Sequence, residues 1–415
     1  FGIDYHNNRD ANYTPFTPRP MINQSSEGAA SANNSNSLYW QEETYLTYVK
    51  DINKHHINAM AGMSWQEYNY TKFEASDSKY IDDFYGYYNL GSGTNRPSVG
   101  SDYDKWAMNS YFLRLAYSYD NKYMATVTGR YDGSSKFGQN NKYAFFPSVG
   151  LGWMISNEDF LKDNLLISKL KLHTSYGVTG NSEIGTYKSL ATVSQSNTII
   201  GDALHVVSYL DNMPNPDLKW EKTGQFDIGF DLGLFNNRLR LTADYYYKKT
   251  TDLLYNVAIP SASGYDSMLK NIGSVQNKGY ELSIESDNLS GAFSWTTAFN
   301  ISFNRNKVLE LGGETYKDVG TYDDHLKTSD IRRLIVGQPI GVFYGYRFDG
   351  IFQNEAECAQ QTSSPSPIGV GLRRYKDLNG DGKIDATNDR EILGDANPKF
   401  FGGMTNTFAY KGFEL

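Results

Sequence analysis

The stretch Arg238-Leu239-Arg240-Leu241-Thr242-Ala243-Asp244-Tyr245-Tyr246-Tyr247-Lys248 decides the class of fold. In an extended chain Leu239, Leu241, Ala243, Tyr245 and Tyr247 share one side, and Arg240, Thr242, Asp244, Tyr246 and Lys248 share the other. A helix would scatter both sets around its circumference. The same period of two puts Phe293, Trp295, Thr297, Phe299, Ile301 and Phe303 opposite Ser294, Thr296, Ala298, Asn300, Ser302 and Asn304. It recurs from Leu218 to Leu234 and, less cleanly, at 57–69, 111–119, 123–131, 145–155, 170–179 and 278–285. These segments predict about a dozen strands, many of them longer than the five or six residues usual in soluble sheets.

Long strands fit a bilayer, which a tilted strand of about nine to eleven residues crosses. The connections support that reading. Short turns fall near 51–56, 120–121, 235–238 and 286–291, and long connections near 71–107, 181–217, 253–275 and 306–340. Brief turns on one rim and extended loops on the other are expected of an outer-membrane β-barrel. A soluble β-sandwich has the same alternation with its apolar faces turned inward, so periodicity alone leaves both architectures open.

Composition narrows the function classes. Of 415 residues, 39 are basic and 47 acidic, a net charge of −8 that excludes a polybasic nucleic-acid binder. Tyrosine (33) and phenylalanine (22) are abundant, as girdles at membrane interfaces require. A single cysteine, Cys358, excludes an internal disulfide framework. No apolar run is long enough for a transmembrane helix, which says nothing against a barrel. The termini read as cuts inside a larger protein: Phe1 opens without a secretion signal, and residues 410–415 look like a turn entering a further strand.

Three stretches resemble the SusC/RagA-like group of TonB-dependent outer-membrane transporters of Bacteroidota. They are Asn215-Pro216-Asp217-Leu218-Lys219-Trp220-Glu221-Lys222-Thr223, Asn271-Ile272-Gly273-Ser274-Val275-Gln276-Asn277-Lys278-Gly279-Tyr280-Glu281-Leu282, and Asp377-Leu378-Asn379-Gly380-Asp381-Gly382-Lys383-Ile384-Asp385 followed by Leu393-Gly394. The resemblance implies an all-β, antiparallel transmembrane barrel of about 22 strands. This chain is expected to hold about a dozen of them, without the N-terminal plug and the final strands. Region 306–399 is expected to be mainly extracellular loop, with the calcium-like motif at 377–389. The implied function is import through the outer membrane of a Gram-negative bacterium, energised by TonB and gated by a SusD-like surface lipoprotein, of oligosaccharides or peptides. The competing reading is a secreted or surface-attached β-rich glycan-binding adhesin with no transport role.

The strongest local motif for chemistry is Asp377, Asn379, Asp381, Gly382 and Asp385 at positions 1, 3, 5, 6 and 9 of a calcium loop, with the Lys383 carbonyl at position 7. Position 12 is Asn388 and the nearest acid, Asp389, comes one residue late. Either a structural Ca2+ or a metal-free Asx/Gly turn satisfies this pattern. Aromatic residues assigned to a loop, Tyr80, Phe84, Tyr85, Tyr87, Tyr88 and Trp106, offer flat faces to a sugar or a partner; Tyr85, Tyr87, Tyr88 and Trp106 are the candidate contacts. Lys219, Glu221, Asp227, Asp231, Arg240, Asp244, Glu281 and Glu285 are expected to face a wet lumen. His55-His56 decorates a turn, and Asp323-Asp324-His325 an exposed loop. Gly-x-Ser-x-Gly, phosphate-loop and His-Glu-x-x-His sequences are absent, so no catalytic residues and no organic cofactor are assigned.

Overall fold

The structure is a computed structural model that describes residues 1–17, 26–95, 97–162, 164–265, 267–319 and 331–415. Its framework is one antiparallel sheet of thirteen strands among the described residues. In chain order these are β1 (Gly2–Thr17), β2 (Ser26–Ile52), β3 (His55–Ser78), β4 (Ser98–Tyr119), β5 (Tyr123–Ser134), β6 (Tyr143–Met154), β7 (Ile167–Asn181), β8 (Glu221–Leu234), β9 (Leu239–Thr251), β10 (Ser274–Leu289), β11 (Phe293–Glu310), β12 (Phe401–Tyr410) and β13 (Phe413–Glu414). Each pairs with the next, and the sheet does not close on itself, leaving β1 and the last hairpin as its edges.

Among the described residues successive connections fall on opposite rims, and those on one rim are mostly the shorter. One rim carries 53–54, 120–122, 155–166, 235–238, 290–292 and 411–412; the other carries 79–97, 135–142, 182–220, 252–273 and 311–400. Tight turns need backbone in the left-handed region, which Asn and Asp tolerate best. Asn53, Asp120, Asn121, Asn236 and Asn237 supply it on the short rim.

The strands expected from the alternation all form, and the sheet adds three long ones that the alternation does not mark, β1, β2 and β12. The first two strands, β1 and most of β2, carry no clear alternation because Asn, Ser and Ala crowd both of their faces. Their length explains why. At about 3.4 Å per residue, the 27 residues of β2 extend about 90 Å, far more than a bilayer requires, so the outer part meets water on both sides and nothing selects an oily face. The connection expected at 71–107 accordingly shrinks to 79–97, because β3 and β4 continue beyond the apolar stretch. The last long connection runs over 311–400 rather than 306–340. It carries a four-stranded sheet (316–318, 332–335, 342–346 and 390–395) and a helix, α1 (Glu355–Gln360), capped by Asn354.

Candidate functional site

The two faces of the sheet differ in chemistry, and the register identifies them. Leu241 lies opposite Leu232 and Ile284, and Tyr245 opposite Ile228 and Tyr280. Following the same face across β4 to β6 gives Leu113, Leu115, Val127, Val149 and Leu151. No second layer covers them: Leu113 is 59%, Val127 52% and Leu151 53% exposed. The sandwich alternative required these stripes to be buried against each other, and they are not.

Aromatic side chains bound this oily belt above and below. Near the short rim Tyr119, Tyr123 and Trp153 stack side by side at 6.5 and 6.4 Å. Eight residues along β5, or about 27 Å of strand, Tyr131 stacks on Tyr143 at 5.1 Å, with Tyr111 beside it and Trp65 and Trp40 continuing the line. At the roughly 35–45° tilt of such strands this is about 19–22 Å along the membrane normal, close to the roughly 25 Å apolar band between the girdles of an outer-membrane barrel. The lower girdle is tied to its turn by Glu158, whose carboxylate accepts hydrogen bonds from Tyr123 Oη (2.6 Å), Trp153 Nε1 (3.0 Å) and Lys122 Nζ (3.1 Å). These donors hold the Glu158 carboxyl down at about 2.

The opposite face is polar and internally paired. Lys169 meets Asp231 at 3.3 Å, His173 meets Asp244 at 2.8 Å, and Arg240 meets Glu285 at 3.0 Å and Asp287 at 2.9 Å. Asp227 accepts hydrogen bonds from Ser175 and Gln225, and Thr242 donates to Asp231. A face so lined stays wetted and offers many weak polar contacts. Higher on it, Tyr39, Tyr68 and Trp106 form a ladder across β2, β3 and β4 with ring centroids about 6 Å apart, and Lys136 lies 5.1 Å from the Trp106 ring. Trp106 therefore belongs to a strand on the polar face, not to the loop in which the sequence reading put it.

Lys219 does not share the polar face of the other acids and bases: it precedes β8 and pairs with Asp252 at 2.9 Å in the long-rim loops, whereas Glu221, the first residue of β8, is in phase with Asp227 and Asp231 and receives Asn181 Nδ2 and the Leu254 N–H at the strand's end. Leu218 and Trp220, expected at the start of that strand, instead lie before it and are buried. They are part of a hub. Trp220 packs on Phe137 and Phe146, and its Nε1 donates to the Lys142 carbonyl. The N–H groups of Gly138 and Asn140 donate to the carbonyls of Leu218 and Pro216. Asn271 accepts the Lys219 N–H on its side-chain oxygen and donates back to the Lys219 carbonyl. Two of the three quoted sequence motifs thus meet in space and lash loops 135–142, 182–220 and 252–273 together.

Comparison with known proteins decides what this wall belongs to. The family described as "TonB dependent receptor-like, beta-barrel" matches residues 1–397. The chain belongs to that family. TonB-dependent receptor P3 of Formosa agariphila is 37% identical over all of this chain and 41% of its own length. TonB-dependent receptor SusC of Bacteroides thetaiotaomicron is 30% identical over 89% of this chain and 36% of its own length. The RagAB peptide importer in its open-open state superposes with a TM-score of 0.81 and 26% identity, over 99% of this chain and 43% of that one. The chain spans about two fifths of the length of the curated relatives it matches. The family is an outer-membrane one, which assigns the apolar belt of this sheet to lipid.

On the long-loop rim the aromatic residues of the receptor's 79–97 loop divide. Tyr80 is buried, edge-on to Tyr13, with its hydroxyl donating to the Leu90 carbonyl. Tyr87 and Tyr88 pack on each other at 4.4 Å, and Tyr85 on Phe84 at 4.9 Å, leaving Phe84 and Tyr88 largely open to solvent. Tyr85, Tyr87 and Tyr88 therefore stay together, and Trp106 stands on a separate strand. Opposite them on the short rim, His55 and His56 flank the 53–54 turn and bond to Tyr117 and Asp51. Asp323, Asp324 and His325 lie outside the described residues.

The calcium-like loop of the receptor turns through Gly380 and Gly382, both at positive φ (75° and 79°) where a side chain would be strained. Asp377 accepts the N–H groups of Gly380 and Gly382, Asp385 those of Asn388 and Thr387, and the fully buried Asp389 those of Leu378 and Asp385. The Asn388 and Thr387 N–H groups hold the Asp385 carboxyl below the usual range. The oxygen donors suit a hard cation in kind. In position they are turned toward the loop's own backbone, and no group of three or more acidic, histidine or cysteine side chains converges among the described residues.

Proposed function

We propose that this chain is the wall of an outer-membrane importer that draws energy through TonB, closes under a SusD-like surface lipoprotein and carries oligosaccharides or, alternatively, peptides. The observation that carries the reading is the division of a single sheet into an oily belt between two aromatic girdles and an ion-paired polar face behind it. The adhesin alternative asks for a water-soluble body. An apolar belt this wide demands lipid or detergent instead, and loss of monodispersity on detergent removal distinguishes the two. The ladder of Tyr39, Tyr68 and Trp106 on the polar face favours flat, ring-bearing cargo, since sugar rings stack on such faces while hydroxyls meet nearby polar groups. The test is uptake of labelled oligosaccharides and peptides by cells whose only copy of the full receptor is wild type or Trp106→Ala. Import of oligosaccharide that falls severalfold in the variant supports the proposal, and equal import by cells lacking the receptor overturns it.

For the 377–389 loop we propose a structural role in ordering an outer loop. Ca2+ is the ligand that Asp377, Asn379, Asp381, the Lys383 carbonyl, Asp385 and Asp389 would hold. A higher melting temperature in calcium than in chelator supports it, and identical melting leaves the Asx turns as the whole device.

A further inference from the structure

At the upper girdle the outward face of the sheet is notched. The pairing of β4 with β5 ends at Met108 and Ser134, and just there the two outward positions between the aromatic residues are Ala107 and Gly133; the Tyr143 ring lies over Gly133, so the hollow opens beside Ala107. The resulting hollow has a volume of about 340 Å3 and is walled by Trp40, Trp65, Glu67, Asn109 and Tyr143. This lies toward the small end of sites that enclose an organic ligand.

Four observations define what fits. The walls are aromatic, which suits the C–H faces of a sugar ring. Polar groups line the same hollow: Asn109 Nδ2 donates to the Tyr143 hydroxyl at 3.0 Å, leaving that hydroxyl's own proton free to donate outward. Glu67 sits above, paired with Lys105 at 3.0 Å and accepting from Asn69. Finally, the hollow opens at the top of the lipid-facing belt and runs down into Tyr111, Leu113, Val127 and Phe145, all exposed. A ligand held here has its polar end at headgroup depth and its tail along that belt.

We propose that the notch binds the sugar headgroup of an outer-leaflet glycolipid, with the acyl chains lying on the belt below. The proposal goes beyond transport and rests on the lipid-facing assignment of this side of the sheet. It gives the small side chain of Ala107 a role in a girdle otherwise made of large aromatic ones, since a larger residue there would fill the hollow.

The test uses the full-length receptor in nanodiscs of phosphatidylethanolamine doped with lipopolysaccharide, with bound lipid counted by native mass spectrometry. Wild-type receptor is expected to retain glycolipid about fivefold above its share of the bilayer, as one or two ring-stacking contacts would give. Ala107→Leu, which fills the notch, and Trp40→Ala, which removes a wall, are expected to bring retention to the bulk ratio, while Leu241→Ala, on the same face but on the distant strand β9, leaves it enriched. Folding of each variant is checked by heat-modifiable gel mobility. If the packing variants fail to fold, Glu67→Ala, which removes a polar wall of the hollow together with its contacts to Lys105 and Asn69, carries the test. No enrichment in the wild type, or enrichment that survives in the folded notch variants, overturns the proposal. So does displacement of the glycolipid by soluble oligosaccharide at equal concentration, which would make the notch a site for free glycans.

Discussion

Replacing Val127 by arginine tests the side assignment at its most sensitive point. Val127 lies four residues from Tyr123 and four from Tyr131, so it stands midway between the two girdles, and it is flanked on its own face by Leu115 and Val149. An arginine on the lipid face at the midplane costs about 2–4 kcal/mol. That lowers the folded-to-unfolded ratio by about 30- to 700-fold. Its chain neighbour Thr126 points to the other face, beside Ala116 and Gly150, where space and water accommodate a long cation. Thr126→Arg is therefore expected to cost less than about 1 kcal/mol, as lumen-facing changes tune selectivity and leave the fold intact. The position matters as much as the face. Leu241 points outward too, but lies only three residues beyond the turn that ends at Arg238, so Leu241→Arg falls near the interface, where the cost drops to about 0–1 kcal/mol. The assay is reversible denaturant unfolding of the full receptor in phospholipid vesicles, followed by tryptophan fluorescence and heat-modifiable mobility. Equal destabilisation by Val127→Arg and Thr126→Arg would refute the assignment of faces, and with it the membrane reading of the belt.

Three further outcomes follow from contacts described above. The Glu158 carboxyl, depressed to about 2 by Tyr123, Trp153 and Lys122, contributes stability that is complete above its ordinary value near 4.5 and is lost as pH falls toward 2. Acid titration of Trp153 fluorescence should show that transition, and Glu158→Gln should abolish it. In the outer loops, Trp220→Ala should cost about 3–5 kcal/mol locally. Limited proteolysis should then cut loops 135–142 and 182–220 together while the membrane strands stay protected. Gly138→Ala should open the same loops, because a Cβ there would overlap the Pro216 carbonyl; unchanged cleavage would mean the hub does not hold them.

The sequence disclosed those parts of the fold that a bilayer imposes. Where oil faces one side and water the other, as along Arg238 to Lys248, the period of two is written in side-chain polarity. Where a strand stands clear of the membrane, as in Ser26 to Ser37, the same backbone geometry leaves no such trace, and the alternation does not mark β1 and β2. Trp220 misled for the opposite reason: an apolar residue in phase with Phe226 and Ile228 looks like one more member of the stripe, yet it turns into a loop core with Phe137 and Phe146. Nothing local marks Glu158 as a clamp either, since its three partners become neighbours only through the pairing of β5 with β6. The acids of 377–389 were legible as an Asx-rich turn from spacing alone. The notch beside Ala107 was not, because a small side chain is conspicuous only beside the large ones that surround it.

The uneven heights of neighbouring strands have a mechanical consequence. β4 continues for ten residues, from Ala107 back to Ser98, beyond the end of its pairing with β5, and its free edge is held by a few contacts from loops: Ser135 and Ala107 exchange two hydrogen bonds, and the Lys105 N–H donates to the Tyr187 hydroxyl. A ladder of paired strands opens only as a whole, whereas a seam closed by clips borrowed from distant loops can part locally. Amide exchange should run fastest along this margin, making it the place where the mouth yields first while the hoop in the bilayer stays taut.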